Sequence, residues 1–122
     1  MGIVNKTKTK MKMNKTDHSF KGSEKKFLLE ISAPGFSMHD DNFEITLKQN
    51  TTIKVFPKSE LIEESYIDDG LEKYRYYLCF DTSIFERGPV TCIVRAYVPD
   101  TDFPDGLRTE IDKFDITIVE PV

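Results

Sequence analysis

The chain of 122 residues is long enough for one domain with a hydrophobic core and too short for two domains of ordinary size. Hydrophobic residues make up 39% of it and charged residues 31%, as in a typical globular protein, and no apolar run approaches the roughly 18 residues of a membrane-spanning helix. Nine Phe and five Tyr supply too much aromatic surface for a wholly disordered chain. We therefore expect one folded domain.

Charge divides the chain into a basic N-terminal arm, residues 1–26, and an acidic body, residues 27–122, which we expect to be the β-sandwich domain. The arm carries eight lysines against two acidic residues, and the body carries nine basic against nineteen acidic residues. No apolar segment of the length found in signal peptides follows the first lysines, and Lys6 occupies the place of the Ser or Thr in a myristoylation site. We expect a protein that is made in the cytoplasm and is not exported.

Within the arm, lysines alternate with Thr and Met, which is the period of an extended strand. The residues that carry this pattern are Lys6, Lys8, Lys10, Met11, Lys12 and Met13. Two interpretations stay open: a partner-binding strand that adds to the sheet of another subunit, or a disordered basic tail. A further alternative is that translation starts at Met11 or Met13, in which case part of the arm would be an artefact of gene calling. Binding to nucleic acid is disfavoured, because the arm has no Arg and the acidic body would repel phosphates.

The body shows the period-two alternation of half-buried strands. The alternating segments are 27–32, 43–48, 51–56, 74–80 and 90–98, and 58–64 is either an edge strand or a helical turn. A last strand over 107–119 needs a bulge near Asp112, because Ile111 and Phe114 have opposite parity. These strands predict an all-β fold, an immunoglobulin-like antiparallel two-sheet sandwich with an extended basic N-terminal arm. A small barrel is the main alternative.

Catalytic and metal-binding patterns are missing from the sequence. The two histidines, His18 and His39, accompany no recognisable nucleophile motif. Cys79 and Cys92 form no CxxC pair, and we expect both to be reduced apolar fillers that face each other across one hairpin. We therefore expect no catalytic residues, no metal and no cofactor.

The segment from Asp100 to Gly106 contains three carboxylates and a glycine, as calcium loops do. It departs from the EF-hand pattern, because Pro104 occupies a ligand position and no glutamate stands at the twelfth position. We favour a turn, in which Asp side chains accept hydrogen bonds from backbone N–H groups and Gly106 takes a positive φ, over a weak calcium site.

Four tyrosines lie close together in the sequence: Tyr66, Tyr74, Tyr76 and Tyr77. Tyr76 and Tyr77 have opposite parity in one predicted strand, so at least one of their rings faces outward. Two interpretations stay open. A tyrosine covers a sheet edge, or Tyr74, Tyr76 and Tyr77 anchor an interface, where aromatic rings bury a large area at low entropic cost.

Three segments of the body carry a family resemblance: DDNFEITL at Asp40–Leu47, YYLCFDT at Tyr76–Thr82, and AYVPDTDFPDGLRTE at Ala96–Glu110. They resemble small β-sandwich structural proteins of tailed phages and prophages of gut Bacteroidetes, including head and tail components of crAss-like phages. The resemblance implies a virion location and an auxiliary capsid (head decoration) protein or a fibre or baseplate adaptor. Its partners would be major capsid, fibre or tail subunits, or further copies of the chain. The resemblance brings no catalytic residues.

Two other functions stay open on the sequence alone. The first is an immunoglobulin-like binding module that recognises a protein or a glycan, for which the tyrosine group would be the contact surface. Such a module at a cell surface would need export. The second is a small cytoplasmic enzyme or regulator, which would need a pocket of convergent polar groups around His39.

Overall fold

A computed structural model describes residues 17–122, which form two β-sheets packed face to face. Its strands are β1 (Asp17–Phe20), β2 (Glu24–Leu29), β3 (Phe43–Gln49), β4 (Thr52–Pro57), β5 (Ile62–Asp68), β6 (Leu71–Asp81), β7 (Gly88–Pro99) and β8 (Leu107–Glu120). Short 3-10 turns at Lys58–Glu60 and Thr82–Ile84 follow β4 and β6. The prediction of an all-β sandwich of two largely antiparallel sheets is confirmed.

The strands divide unequally between the sheets. One sheet has five strands in the order β1-β8-β7-β3-β4, and the other has three in the order β2-β6-β5. Neighbouring strands are antiparallel except β1 and β8, which run parallel. Within residues 17–122, the outermost strands are β1 and β4 in the larger sheet and β2 and β5 in the smaller one.

The core lies between the sheets and follows the alternation of the central strands. On β7, five consecutive inward residues are fully buried, and the residues between them are partly exposed: Val90, Cys92, Val94, Ala96 and Val98. Across the sandwich, the buried ring of Phe43 meets the edge of the Tyr76 ring at 5.6 Å between centroids. Removal of this apolar surface from water is the main stabilising contribution to the fold.

Both predicted turn regions between β3 and β6 follow from local chemistry. β3 and β4 form the expected hairpin, and Asn50 in its turn has a left-handed φ of 53°. For segment 58–64 the sequence allowed either an edge strand or a helical turn. The structure contains both, a 3-10 turn followed by β5. Asp69 and Gly70, with φ values of 54° and 77°, then join β5 to β6 in the two-residue turn that Asp-Gly favours.

The two long strands β6 and β7 do not form a hairpin, contrary to the expectation. Each is an inner strand of a different sheet, and the connection through Thr82–Ile84 crosses from one sheet to the other. Cys92 is buried in the core as expected, whereas Cys79 is exposed beside Lys26 on the outside of the smaller sheet. The expectation of two buried cysteines facing each other is therefore wrong.

The bulge in β8 lies four residues later than predicted. Val90 pairs with Thr117 and Thr91 with Asp115, so Ile116 is the extra residue. Residues after the bulge change sides, and Thr117 is buried with Ile116. Ile111 faces solvent and is 58% exposed, so the prediction of a bulge near Asp112 that turns Ile111 inward is wrong.

The folded domain begins earlier than the predicted boundary between residues 26 and 27. β1 starts at Asp17 and pairs with β8, and the predicted boundary falls inside β2. The strand-forming positions of the arm, Lys6, Lys8, Lys10, Met11, Lys12 and Met13, lie outside the described residues. The prediction that they bind a partner therefore stays a prediction.

Candidate functional site

A cluster of polar and aromatic side chains surrounds Tyr76 at one end of the sandwich. The Tyr76 side chain points inward from β6 and is 1% exposed, and its hydroxyl donates a hydrogen bond of 2.5 Å to Glu63 Oε2. His39 Nδ1 lies 3.5 Å from both oxygens. The His39 ring stacks on Tyr74 at 3.7 Å with an interplanar angle of 4°. We call Tyr76, Glu63, His39 and Tyr74 the Tyr76 cluster.

Strand pairing and one lysine bring the Tyr76 cluster together. Glu63 on β5 lies directly opposite Tyr76 on β6 in the antiparallel register. His39 belongs to the loop between β2 and β3, and the Lys58 ammonium donates hydrogen bonds of 2.8 Å to the backbone oxygens of His39 and Asp41. The same ammonium lies 5.7 Å from the centre of the Tyr76 ring, within cation–π range.

Burial and hydrogen bonding shift the pKa values of Tyr76 and Glu63 in opposite directions. The Tyr76 hydroxyl lowers the pKa of Glu63, and the nearby His39 and Lys58 add to that effect. Burial, followed by the hydrogen bond to Glu63, raises the pKa of Tyr76 well above its usual value. Near neutral pH the tyrosine is therefore a donor and the glutamate an acceptor. Their bond joins β5 to β6.

An open cleft of about 510 Å³ lies beside the Tyr76 cluster. Its lining residues are Asn42, Pro57, Lys58, Ser59, Leu61, Glu63 and Tyr76. The two charged groups in this lining already have partners, since Lys58 binds backbone carbonyls and Glu63 binds Tyr76. The arrangement ties the loop before β3 to β5 and β6.

The predicted interface tyrosines do not share one surface. Tyr74 and Tyr76 lie together on the inner side of β6, where the Tyr74 hydroxyl donates to Glu72. Tyr77 lies on the opposite side, with the Lys26 ammonium 4.5 Å from its ring centre. The expectation that one of these rings faces outward is confirmed. The three rings do not form a single platform for a ligand.

The loop from Asp100 to Gly106 has the predicted turn geometry. Asp100 Oδ1 accepts a 3.0 Å hydrogen bond from the backbone N–H of Asp102, and Gly106 has a φ of 72°. The other oxygen of Asp100 pairs with Arg108, and these partners together lower the pKa of Asp100. Across the residues that the structure describes, no group of three or more His, Cys, Asp or Glu is placed to hold a metal ion.

The outer face of the five-stranded sheet carries exposed apolar side chains that the sequence analysis did not single out. Ile53 and Val55 on β4 are 57% and 47% exposed, because Phe56 has the opposite parity and takes the inward position. Pairing places Val55 beside Thr46, and Thr46 beside Ile93. Below, the term outer face means the surface formed by Ile53, Val55, Thr46 and Ile93 together with Ile111 on β8. The sequence shows the alternation of β4 but not which side is buried.

A salt bridge crosses the centre of the outer face. Arg95 Nη1 lies 3.7 Å from Glu44 Oε1 and donates a 3.3 Å hydrogen bond to the Thr46 hydroxyl. Both charged side chains are about one-third exposed. The surface therefore combines β-branched apolar groups with a balanced pair of charges.

Comparison of the chain with protein-family models, with curated proteins and with solved structures finds no match. The resemblance to phage structural proteins therefore stays a prediction. In the part of the chain from Asp17 onward, no helix has the length and apolar character needed to cross a membrane.

Proposed function

We propose that the chain is a non-enzymatic structural component of a phage virion, either an auxiliary capsid protein or a fibre or baseplate adaptor. In this proposal it contacts neighbouring virion subunits through the outer face of the five-stranded sheet. The observation that carries the proposal is the exposure of Ile53 and Val55 on β4, which is an outermost strand among residues 17–122. The family resemblance of the body supplies the virion setting.

Exposed β-branched residues on an edge strand favour contact with another protein. Edge strands usually carry charges that prevent pairing with other chains. On β4, Lys54 points away from Ile53 and Val55, so no charge lies between these two along the strand, and Lys48 on β3 lies beside Ile53. Exposed apolar residues beside a balanced pair of charges, here Arg95–Glu44, give the mixed apolar and polar surface that non-obligate protein interfaces show.

We also infer that the sandwich is of the immunoglobulin type, because the strand order fits that arrangement. In such domains, strands G, F and C are neighbours in one sheet, and strands B, E and D are neighbours in the other. Here β8, β7 and β3 are neighbours in the larger sheet, and β2, β6 and β5 are neighbours in the smaller one. This correspondence also follows the chain order, from β2 as strand B to β8 as strand G.

The test compares two lysine substitutions in virions. Val55→Lys places a charge on the outer face, and Leu71→Lys makes the same change at a residue that is 64% exposed at the start of β6. We expect Val55→Lys to reduce the amount of chain that co-sediments with DNA-filled particles by about tenfold or more, and Leu71→Lys to leave it unchanged. Circular dichroism checks that both variants fold. Normal incorporation of Val55→Lys would contradict the assignment of this face.

A further inference from the structure

One edge of the five-stranded sheet is only partly covered in the part of the chain that the structure describes. β1 pairs with β8 at four positions, from Asp17 with Thr117 to Phe20 with Glu120. The preceding part of β8, residues 107–116, has β7 on one side and no strand on the other among residues 17–122. We call residues 107–116 the open edge of β8. Backbone N–H and C=O groups along such an edge are a template for another strand.

We propose that residues 7–16 of the same chain extend β1 and pair in parallel with the open edge of β8. The chain before Asp17 starts where β1 already lies beside β8, so the extension requires no additional loop to be closed. Ten residues of strand span about 33 Å, the same length as the open edge. The alternation of lysines with Thr and Met in this segment fits a strand with two different faces.

Opposite charge favours this occupant of the edge. Residues 1–16 contain five lysines and no acidic residue. The open edge and the loop before it contain two basic residues, Arg108 and Lys113, against six acidic ones: Asp100, Asp102, Asp105, Glu110, Asp112 and Asp115. Oppositely charged side chains on facing strands stabilise a sheet, whereas like charges destabilise it.

The register of β1 predicts which side chains meet. Each residue of β1 pairs with the one that is a hundred positions later. If the offset of a hundred positions is kept through Ile116 and the residues before it, Lys10 pairs with Glu110, Met11 with Ile111, and Lys12 with Asp112. Ile111 is 58% exposed, so the Met11 side chain would cover apolar surface that water now contacts. Lys8 faces Arg108 and gains no opposite charge.

The main competing acceptor lies on the other sheet. β5 is also an outermost strand in the described structure and carries Glu63, Glu64 and Asp68. β1 is not a neighbour of β5, so in this alternative the arm would have to reach a strand of the other sheet. In the proposed pairing, residue 16 directly precedes β1, which already lies beside β8. Contact with β5, or with β8 of a second copy, is an outcome that the test distinguishes.

Hydrogen exchange on the full chain tests the pairing. We compare the wild type with the double variant Lys10→Glu and Lys12→Glu, and with the matched control Lys8→Glu. The double variant replaces attraction by repulsion at two facing pairs, and we expect protected amides of residues 107–115 to exchange about tenfold faster. The control places an acid opposite Arg108 and should not accelerate exchange. Equal exchange in all three proteins would overturn the proposal.

Cross-linking identifies which molecule supplies the arm. A carbodiimide joins lysine ammonium groups to carboxylates that are in contact, and an equal mixture of isotope-labelled and unlabelled full chains separates links within one chain from links between chains. We expect links from Lys10 to Glu110 and from Lys12 to Asp112 within single chains. Links found only between chains, or only to Glu63 and Glu64, would overturn the assignment. The proposal does not depend on the virion role, because both readouts use the purified chain.

Discussion

Replacement of Thr82 by valine tests how much one buried hydroxyl contributes to the stability of the domain. This hydroxyl joins the turn between β1 and β2 to the connection that crosses from one sheet to the other. Thr82 is 0% exposed, and its hydroxyl accepts a 3.0 Å hydrogen bond from the Gly22 N–H. It also donates to the backbone oxygen of Phe20 or Ser23, each 3.0 Å away. Valine keeps the shape and removes both interactions.

The expected cost follows from these contacts. A net hydrogen bond contributes about 1 kcal/mol to stability, and a buried group left without a partner costs more. Gly22 is exposed, so water partly replaces its lost acceptor, and we expect Thr82→Val to lower the free energy of unfolding by about 2 kcal/mol. In a domain of this size that corresponds to a decrease in Tm of about 8 °C.

The assay is urea unfolding followed by circular dichroism, with Thr82→Ser as the matched variant. Serine keeps the hydroxyl and loses one methyl group, which costs about 1 kcal/mol. The hydrogen-bond argument therefore predicts that valine destabilises the domain more than serine does. If packing alone mattered the order would be reversed, because valine retains more of the threonine volume. A valine variant more stable than the serine variant would refute the reasoning.

Two further predictions concern acid stability and thiol reactivity. The backbone N–H of Asp102 and the Arg108 guanidinium hold the folded-state pKa of Asp100 below its ordinary 3.8, so this stabilisation is present above that pH and is lost as pH falls through the folded-state value. Asp100→Asn should therefore be less stable than wild type at pH 7, with the difference shrinking below about pH 4 in urea titrations; a pH-independent difference would contradict this. Cys79 is exposed, whereas burial raises the pKa of Cys92 to about 12. One thiol per native chain should react rapidly with Ellman's reagent and the second only after unfolding, so equal rates would disprove the assignment.

Short-range patterns in the sequence predict much of the fold. Alternation identifies β3, β4, β6 and β7, because each has one buried side, and the Asp69–Gly70 pair marks the turn between β5 and β6. That turn also contains the information for the Tyr76 cluster, since a two-residue hairpin turn fixes the register that sets Glu63 opposite Tyr76. The sequence analysis did not use that register and so missed the pair.

Long-range choices were not predictable from local patterns. Alternation reports which residues share a side, but not which sheet a strand joins, so β6 and β7 were assigned to one hairpin although they lie in different sheets. The extra residue at Ile116 follows from pairing with Val90 and Thr91, which is invisible within β8 alone. The predicted strand 27–32 overlaps β2 at residues 27–29, and the lysine-rich start of β2 was not predicted. β1 is short and polar, and it is recognisable as a strand through its pairing with β8.

The measurement that tests the central claim most directly is the amount of this chain in purified virions. Particles from a lysate of the native host are separated on a density gradient, and the chain is quantified by mass spectrometry against the major capsid protein. A structural role predicts a fixed ratio of the chain to capsid protein across the DNA-filled fractions, which persists after a wash in high salt. Absence from these fractions, with the chain remaining at the top of the gradient, would contradict the virion assignment.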